Sequence, residues 1–434
     1  MKANRYILAA ALMCIAAVTT TLRAQNSPEE KLNMTMYAIM NMYVDTVDKA
    51  SFVDDMIART VKELDPFSAY LSPEEAKANE AALLGPTAAG QADMAETSVK
   101  TSYMADGKTG YIRLSLFSAS APDDFRNAVE RLKKRGMKNL ILDLQGNPGG
   151  FLDSAVAIAD ELLSGEKTVV TTSGAHIPTE SATTKTDGCF ESGRVVLLVN
   201  GQTMSAAEIL SGALRDWDRA VLVGSRTFGK GLIQETLPFS DGSALRITVA
   251  RYLTPCGMMI QKPYKGYSHV FADTSRTFTS LTYGRKLTSG GGIEADVFVP
   301  RDTVFMTPWY YNVSFNGMQV REVSSYLQKN RDELLRKYRT SDSYFRKFTG
   351  EDVMFAEMTD MATSAGIPFS QVECDRSAYA VKTQLKAMLA RQLYPEDADI
   401  YYKILNTANP AVVKAMEIVS GDSYESILTG ADAE

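Results

Sequence analysis

Apolar residues near the start of the chain recur at helical spacing. Two such sets lie before residue 64: Met36, Ile39, Met40 and Tyr43, then Phe52, Val53, Met56, Ile57 and Val61. They predict two short helices. Ser72 followed by Pro73, Glu74 and Glu75 has the pattern of a third helix start, with a capping residue before proline and acids. Residues 25–84 are therefore predicted to form an N-terminal helical region.

From Gly110 onward, strand-like and helix-like patterns alternate. Strands are predicted at residues 111–116, 139–144, 194–200, 220–223 and 244–249, and helices at 122–134, 156–163 and 205–217. This order predicts an α/β core over residues 108–303 with parallel strand pairs. Loops after the carboxyl ends of parallel strands share one edge of a sheet, so we expect a ligand to bind there.

The regions that flank this core have simpler patterns. Residues 85–107 are rich in Gly, Ala, Thr and Ser without periodicity, which predicts a linker. Residues 304–434 carry three apolar stripes at helical spacing: Val320, Val323, Tyr326 and Leu327; Val381, Leu385, Met388 and Leu389; Val412, Val413, Met416 and Val419. They predict a C-terminal helical region whose stripes face a core.

The first residues have the pattern of a secretory signal peptide. Lys2 and Arg5 precede an apolar run over residues 6–18, and Ala24 ends a small-residue cleavage site. The run is shorter than the ~20 residues that span a bilayer, so no stable membrane span is expected. A lipoprotein alternative would use Cys14, but Met13 stands where a small residue is required. Residues 1–24 are predicted to be removed on export, to the periplasm or another extracytoplasmic compartment.

Charge and composition exclude several classes of function. The net charge is −6 and becomes −9 without residues 1–24, which does not favour nucleic acid as a partner. The processed chain keeps Cys189, Cys256 and Cys374, too few and too scattered for a disulfide scaffold or a metal site. With only His176 and His269 in the chain, a histidine-based triad is disfavoured. No metal or cofactor is expected, and proton transfer should use another base.

Three loops that follow predicted core strands could carry chemistry. Residues 146–150 (GNPGG) could present backbone N–H groups to a ligand, although such a sequence often forms only a turn. Ser205 and Glu208 have the spacing of a capping box, in which both side chains only satisfy N–H groups. Lys230 lies between two glycines, where a solvated turn is the simpler interpretation. It becomes a base only if burial lowers its pKa by about 3 units, at a cost of ~4 kcal/mol.

The same loops together resemble one family closely. Residues 140–150 (LILDLQGNPGG), 198–209 (LVNGQTMSAAEI) and 226–234 (RTFGKGLIQ) are similar to the active-site blocks of the carboxyl-terminal processing, or tail-specific, serine peptidases. The similarity continues at residues 241–246 and 251–255 and reappears at 291–296, where Ala295 replaces a proline common in the family. Residues 64–70 and 72–75 resemble the family's helical leader.

This resemblance implies a fold and a mechanism. The core would be a crotonase- and ClpP-like α/β domain, with Ser205 as the nucleophile, Lys230 as the general base and Gln234 as the residue that orients the lysine. The backbone N–H groups of Ala206 and of the Gly149–Gly150 pair would form the oxyanion hole. Asp216 is a minor candidate, because some members have a functionally sensitive acid there and a surface charge at a helix end explains it equally well.

The chain also departs from the family. A PDZ module normally separates the helical leader from the core, and residues 85–107 are too short to form one. Recognition of a substrate's carboxyl terminus by strand addition to such a module is therefore in doubt. The expected partner is a polypeptide substrate. The C-terminal helices could gate the site, form a homodimer or bind an adaptor.

Two other functions are alternatives to peptide hydrolysis. Residues 224–231 match the GxxxxGK pattern of a nucleotide-binding loop, but Gly231 stands where Ser or Thr is required, and a strand-like pattern follows instead of a helix. A non-catalytic binding protein on the same fold is the more serious alternative, since family resemblance does not guarantee activity. The presence of Ser205, Lys230 and Gln234 favours an enzyme.

Overall fold

The computed structural model describes residues 27–84, 97–265 and 277–431. The predicted signal peptide and the first half of the predicted linker lie outside these described residues. None of the helices in the described ranges combines the length and the apolar content needed to cross a bilayer. The chain divides into two compact units, Met1–Leu64 and Asp65–Glu434.

The first unit contains the two helices that its periodicity predicts, α1 (Pro28–Met42) and α2 (Lys49–Lys62). Both begin at a capping side chain. Ser27 and Glu30 form a reciprocal capping box at α1, with hydrogen bonds of 3.2 and 3.1 Å. The Asp48 carboxylate accepts a hydrogen bond from the Ser51 amide, at 2.9 Å, at the start of α2.

The second unit contains the strands and the remaining helices. Its strands are β1 (Ala69–Leu71), β2 (Val99–Met104), β3 (Thr109–Leu114), β4 (Asn139–Asp143), β5 (Thr168–Ser173), β6 (Glu180–Thr183), β7 (Val195–Val199), β8 (Val221–Gly224), β9 (Leu232–Pro238), β10 (Ala244–Leu253), β11 (Phe278–Thr279), β12 (Lys286–Leu287) and β13 (Val297–Phe298). Its helices are α3 (Pro73–Leu84), α4 (Ala121–Lys134), α5 (Leu152–Asp160), α6 (Ala206–Asp216), α7 (Pro308–Phe315), α8 (Met318–Lys337), α9 (Ser341–Lys347), α10 (Glu351–Ser364), α11 (Gln371–Leu393), α12 (Ile400–Leu405), α13 (Pro410–Ser420) and α14 (Ser423–Thr429). The predicted α/β class with a helical C-terminal region is confirmed.

The larger sheet has the strand order β13-β8-β7-β4-β3-β2, and every neighbouring pair is parallel except β2 with β3. Successive side chains point to opposite faces of this sheet. One face, with Leu142 and Leu197, packs in a common core with α4, α5 and α6. The other face, with Ile141 and Val196, packs with α13 and α14. Because both faces are covered, the central strands are continuously apolar.

The packing of α13 and α14 differs from the single C-terminal region predicted over residues 304–434. Helices α7 to α12 share a core of their own, which includes Trp309, Met358 and Leu385. By contrast, Val412 and Val419 of α13 pack on the larger sheet. That face of the sheet is apolar and needs a cover, and the last helices of the chain provide it.

The predicted linker over residues 85–107 also differs from the structure. Strand β2 occupies Val99–Met104 and pairs with β3, so the sheet begins before residue 108. Pairing at the edge of the sheet and hydrogen bonds from distant residues hold this polar segment. The Asp399 carboxylate accepts from Thr101 Oγ1 at 2.6 Å and from the Ser102 amide at 2.9 Å.

A second, antiparallel sheet has the order β1-β10-β5-β6, with β9 paired to β10. Strand β1 pairs Ala69 with Arg246, which brings residues 65–71 beside β10. The pairing of β9 with β10 shifts register between Thr248 and Ala250. This sheet therefore assembles segments from three distant parts of the sequence, and residues next to β1 and on β9 and β10 reach the site described next.

Candidate active site

Three loops at the carboxyl ends of β4, β7 and β8 are hydrogen-bonded to one another. The Met204 amide donates to the Asn147 carbonyl at 3.0 Å, and the Phe228 amide donates to the Thr203 carbonyl at 2.9 Å. The buried hydroxyl of Thr203 donates to the Leu144 carbonyl at 2.9 Å. These are the three loops that the sequence predicts to share one edge of the sheet, and the structure confirms that they do.

Ser205 lies at the turn between β7 and α6 in a strained backbone conformation. Its φ is 58° and its ψ is −120°. Asp218 is the other non-glycine residue with positive φ in the described ranges. Such a conformation costs roughly 1–3 kcal/mol and persists only where the surroundings impose it. The turn places the serine at the N-terminus of α6, where backbone N–H groups have no helical acceptor.

The carboxylate of Glu208 holds the serine turn and the lysine loop together. It accepts hydrogen bonds from the Thr227 hydroxyl (2.5 Å) and from the amides of Gly229 (2.7 Å), Lys230 (2.8 Å) and Ser205 (3.0 Å). Glu208 is fully buried, and this burial raises its pKa while the four hydrogen bonds act in the opposite direction. The glutamate half of the predicted capping box thus exists, but three of its four bonds reach another loop.

The serine hydroxyl is not required for that cap. The Glu208 amide donates to the backbone carbonyl of Ser205 at 2.7 Å. The same carbonyl accepts from the Tyr252 hydroxyl at 3.2 Å, and Tyr252 also donates to the Lys230 carbonyl. Backbone groups therefore fix the position of Ser205 independently of its Oγ.

Lys230 is partly buried beside the ring of Phe67. Its Nζ lies 5.1 Å from the ring centre. Burial lowers the pKa of Lys230, and the positive charge of Arg246 lowers it further, whereas Glu208 and Asp65 raise it. No ion pair neutralises this lysine within the described ranges. The surroundings therefore favour the neutral amine, the form that can accept a proton.

The backbone around the serine offers two free N–H groups. The Gly149 amide is already used, because it donates to Asn147 Oδ1 at 2.8 Å. No acceptor among the described residues takes the amide of Gly150 or of Ala206. Gly150 has φ of 138°, and a Cβ there would lie 2.2 Å from the Phe117 carbonyl oxygen, so only glycine fits. Of the three predicted oxyanion donors, Gly150 and Ala206 have the free N–H groups.

Gln234 lies near the lysine without bonding to it. Its Nε2 donates to Thr248 Oγ1 at 3.1 Å, and in the described chain no hydrogen bond joins it to Lys230. Thr248 is in turn linked to the turn that carries Phe67, because its amide donates to Ser68 Oγ at 3.0 Å. The predicted role of Gln234 in orienting Lys230 stays a prediction.

Asp216 lies away from this group, at the other end of α6. It is fully buried, and its Oδ1 accepts from Arg215 at 2.7 and 2.9 Å. Its Oδ2 accepts from the Cys256 amide at 3.0 Å. These contacts give Asp216 a structural environment that is neither the exposed helix end nor the catalytic cleft.

A cavity of about 330 Å³ collects the candidate residues. Ser205, Ala206, Gly150, Lys230 and Gln234 all line it. The apolar lining residues are Phe151, Leu152, Ile209, Leu232 and Ile233, and the polar ones include Asn79, Thr236 and Arg246. This cleft, hereafter the dyad cavity after the predicted pair Ser205 and Lys230, is thus apolar along one part and carries an arginine in its wall.

Three residues around the site could not be identified as functional from the sequence. Phe67 belongs to a segment assigned there to the helical leader, and Glu208 has the same spacing as an ordinary capping residue. Arg246 is a charge in an alternating strand, where solvent exposure is the simpler expectation. Arg246 and Thr248 are two residues apart in a predicted strand, so their side chains point to the same face, and this spacing could have indicated that both face the site.

Comparison with known proteins supports the assignment of the core. Residues 108–266 match Peptidase family S41. Residues 309–395, within the separate helical core, match a family of unknown function (DUF8443). The chain is 43% identical over 148 residues to Carboxyl-terminal-processing peptidase 3, chloroplastic, of Arabidopsis thaliana, an alignment that covers 34% of this chain and 28% of that protein.

A second curated relative and a solved structure also match part of this chain. The chain is 47% identical over 146 residues to the Carboxyl-terminal-processing protease of Synechocystis sp., covering 34% of each protein. It thus spans about a third of the length of the curated relatives it matches. A solved structure of the photosystem II D1 C-terminal processing protease is 31% identical with a TM-score of 0.36, covering 45% of this chain and 43% of that one.

Proposed function

We propose, from the premise that this chain belongs to peptidase family S41 through residues 108–266, that it is a serine endopeptidase. Its substrates would be exported polypeptides, cleaved in the dyad cavity by Ser205 and Lys230. The observation that carries the proposal is the meeting of a strained serine at a helix start with a lysine that burial favours in its neutral form. Neither feature is needed for a binding scaffold.

The first half-reaction would form an acyl-enzyme. Neutral Lys230 accepts the proton of Ser205 Oγ as this oxygen attacks the carbonyl carbon of the scissile bond. The negative oxygen that develops is stabilised by the N–H groups of Gly150 and Ala206. The lysine ammonium then donates its proton to the departing amine, the C–N bond breaks, and an ester to Ser205 remains.

The second half-reaction would restore the serine. A water molecule gives its proton to Lys230 and attacks the ester carbonyl, and the same N–H groups stabilise the intermediate. Collapse of the intermediate breaks the ester bond, the lysine returns the proton to Ser205 Oγ, and the carboxylic acid product leaves. Glu208 contributes by holding the Ser205 turn and the Lys230 loop at a fixed separation.

Export is the further part of this proposal. Its support is the sequence of residues 1–24, which lies outside the described residues. The three free cysteines, Cys189, Cys256 and Cys374, form no disulfide with one another in the structure. An extracytoplasmic location would bring the enzyme together with secreted or periplasmic polypeptides.

Cleavage of an unfolded polypeptide tests the proposal. We expect the protein beginning at residue 25 to cleave it, and Ser205→Ala and Lys230→Ala each to lower the rate by at least ~10³-fold, because each removes one partner of the proton transfer. Lys138→Ala, which changes an exposed lysine, serves as the control and should keep full activity. Equal cleavage by all four proteins, or none by the unaltered protein, would favour the alternative of a non-catalytic binding protein.

A further inference from the structure

Arg246 is a cation in the wall of the dyad cavity that lacks an acidic partner. Its Nε donates to the Phe67 carbonyl at 3.1 Å, and one terminal nitrogen donates to Asn79 Oδ1 at 3.4 Å. In the described part of the chain it forms no ion pair. A guanidinium has five N–H donors, and these two contacts leave the others available.

Several other arginines of this unit that are at least partly buried are paired with carboxylates, whereas Arg219 donates only to backbone carbonyls. Arg113 meets Asp143 at 2.8 Å, Arg215 meets Asp216 at 2.7 Å, and Arg285 meets Asp218 at 2.7 Å. Partly desolvated guanidinium groups gain much from such pairing, since charge-assisted hydrogen bonds strengthen as water is excluded. Arg246, like Arg219, has only neutral partners, but Arg246 also lines the dyad cavity.

Arg246 lines the same cavity as Ser205 and Lys230. Strand β10 pairs Arg246 with Thr236 of β9, and both line the dyad cavity with Ser205 and Lys230. Asn79 lines the same cavity, and its oxygen is occupied by Arg246, which leaves its amide N–H groups for a ligand. A carboxylate that enters the cavity would therefore meet donors from two side chains.

We propose that Arg246, together with Asn79, binds a carboxylate of the polypeptide substrate while the scissile bond lies at Ser205. This inference rests on the proposed function. The carboxylate could be the carboxyl terminus of the substrate or an Asp or Glu side chain close to the cleavage site. The cleft itself would then select substrates, in a chain where only residues 85–98 separate α3 from β2.

Binding of an anion at Arg246 also affects the lysine. The charged groups that act on Lys230 are Arg246, Glu208 and Asp65. A bound carboxylate would offset the positive charge of Arg246, which otherwise lowers the lysine pKa. The advantage of a carboxylate-bearing substrate should therefore appear as a lower KM, without a gain in kcat.

Two peptide series distinguish the sources of the carboxylate. The first compares peptides of one cleaved sequence that end in a free acid or in an amide. The second has both ends capped and carries Glu or Gln at each position near the scissile bond in turn. In at least one series, we expect the carboxylate-bearing member to have a KM about tenfold lower. Equal KM values in both series would overturn the proposal.

Variants assign the effect to Arg246. Arg246→Gln should bring the KM ratio of the two members to about one, whereas Arg246→Lys should keep part of the preference. Each ratio is taken within one enzyme, so the effect of the substitution on the lysine pKa of the free enzyme is common to both peptides. Arg251→Gln alters an exposed arginine on the same strand and should keep the full ratio. Retention of the full ratio in Arg246→Gln would contradict the assignment.

Binding to the Ser205→Ala protein separates this inference from the proposed function. Fluorescent versions of the same peptides should bind this inactive protein with the same carboxylate preference, which Arg246→Gln in that background should abolish. A preference in binding without cleavage by the unaltered protein would leave the inference standing and reject the peptidase. Cleavage without any preference would do the reverse.

Discussion

At the residue scale, the proposed chemistry depends on a lysine that must lose its charge in a cleft with few anions. Burial is the largest influence on the pKa of Lys230, and it acts in the required direction. The charge of Arg246 lowers the lysine pKa further, because a nearby cation disfavours the charged form of the lysine. Glu208 raises the lysine pKa. Its carboxylate, however, is hydrogen-bonded to backbone amides and a hydroxyl and forms no ion pair with the lysine ammonium.

Glu208→Gln tests the structural role of that carboxylate. An amide has a single acceptor oxygen, and its NH₂ group would face N–H donors that now point at the second carboxylate oxygen. We expect kcat to fall by about 10²-fold with little change in KM, because the serine and lysine loops lose their alignment. The free energy of unfolding should fall by about 1–3 kcal/mol. Steady-state kinetics and urea unfolding measure both.

The control for that substitution is Glu235→Gln, on the exposed part of β9. It removes the same charge from a solvated position, so kcat and the free energy of unfolding should both stay close to those of the unaltered protein. A Glu208→Gln protein with unchanged kcat would show that the four hydrogen bonds do not position the dyad.

The sequence singles out Ser205 and Lys230 as the proposed dyad, but it does not indicate the side chains that hold their loops in place. Ser205 and Lys230 stand in loops whose residues form a recognisable set. Glu208 was visible only as a capping residue, because a cap and a carboxylate that joins two loops have the same local spacing. The contact of Phe67 with Lys230 depends on the pairing of β1 with β10, across about 180 residues of sequence.

At the element scale, the larger sheet requires cover on both faces. Helices α4 to α6 follow their strands in sequence and cover one face, as the alternating pattern predicts. The other face is covered by α13, from the far end of the chain. Periodicity identifies this helix but does not indicate its partner, because an apolar stripe fits a helical core and a sheet equally well.

Neighbouring valines of α13 test this packing. Val412 is 5% exposed and contacts the sheet core, whereas Val413 is 44% exposed. Val412→Asp places an unpaired carboxylate against the sheet and should lower the free energy of unfolding by about 3 kcal/mol or more. Val413→Asp, the matched control, should change it by less than about 0.5 kcal/mol. Similar urea midpoints for the two variants would contradict the assigned packing.

Strand β2 shows another limit of sequence patterns. Its residues Lys100, Thr101 and Ser102 are polar, so no alternating apolar pattern marks the segment as a strand. Its order comes from pairing with β3, the next strand along the chain, and from the Asp399 carboxylate, which is 298 residues away from Thr101. A polar edge strand that is held in part by a distant carboxylate has the local sequence pattern of a linker.

At the scale of the whole molecule, the core that matches Peptidase family S41 is followed by a helical body with a hydrophobic core of its own. Residues 309–395 of that body match a family of unknown function, so its role as a gate, dimer interface or adaptor site stays a prediction. Only residues 85–98 lie between α3 and β2, where the resembled family has a PDZ module. Substrate selection is therefore proposed to occur in the dyad cavity.

The pH dependence of kcat/KM for a peptide substrate tests the central claim most directly, since it reports ionisations of the free enzyme. The lysine must be neutral to act, so activity should rise with pH. Because burial and Arg246 lower the lysine pKa, the rise should be centred below the ordinary lysine value of 10.5. Lys230→Ala should remove activity at every pH. A rise centred at the ordinary value, or an unchanged profile in Lys230→Ala, would contradict Lys230 as the general base.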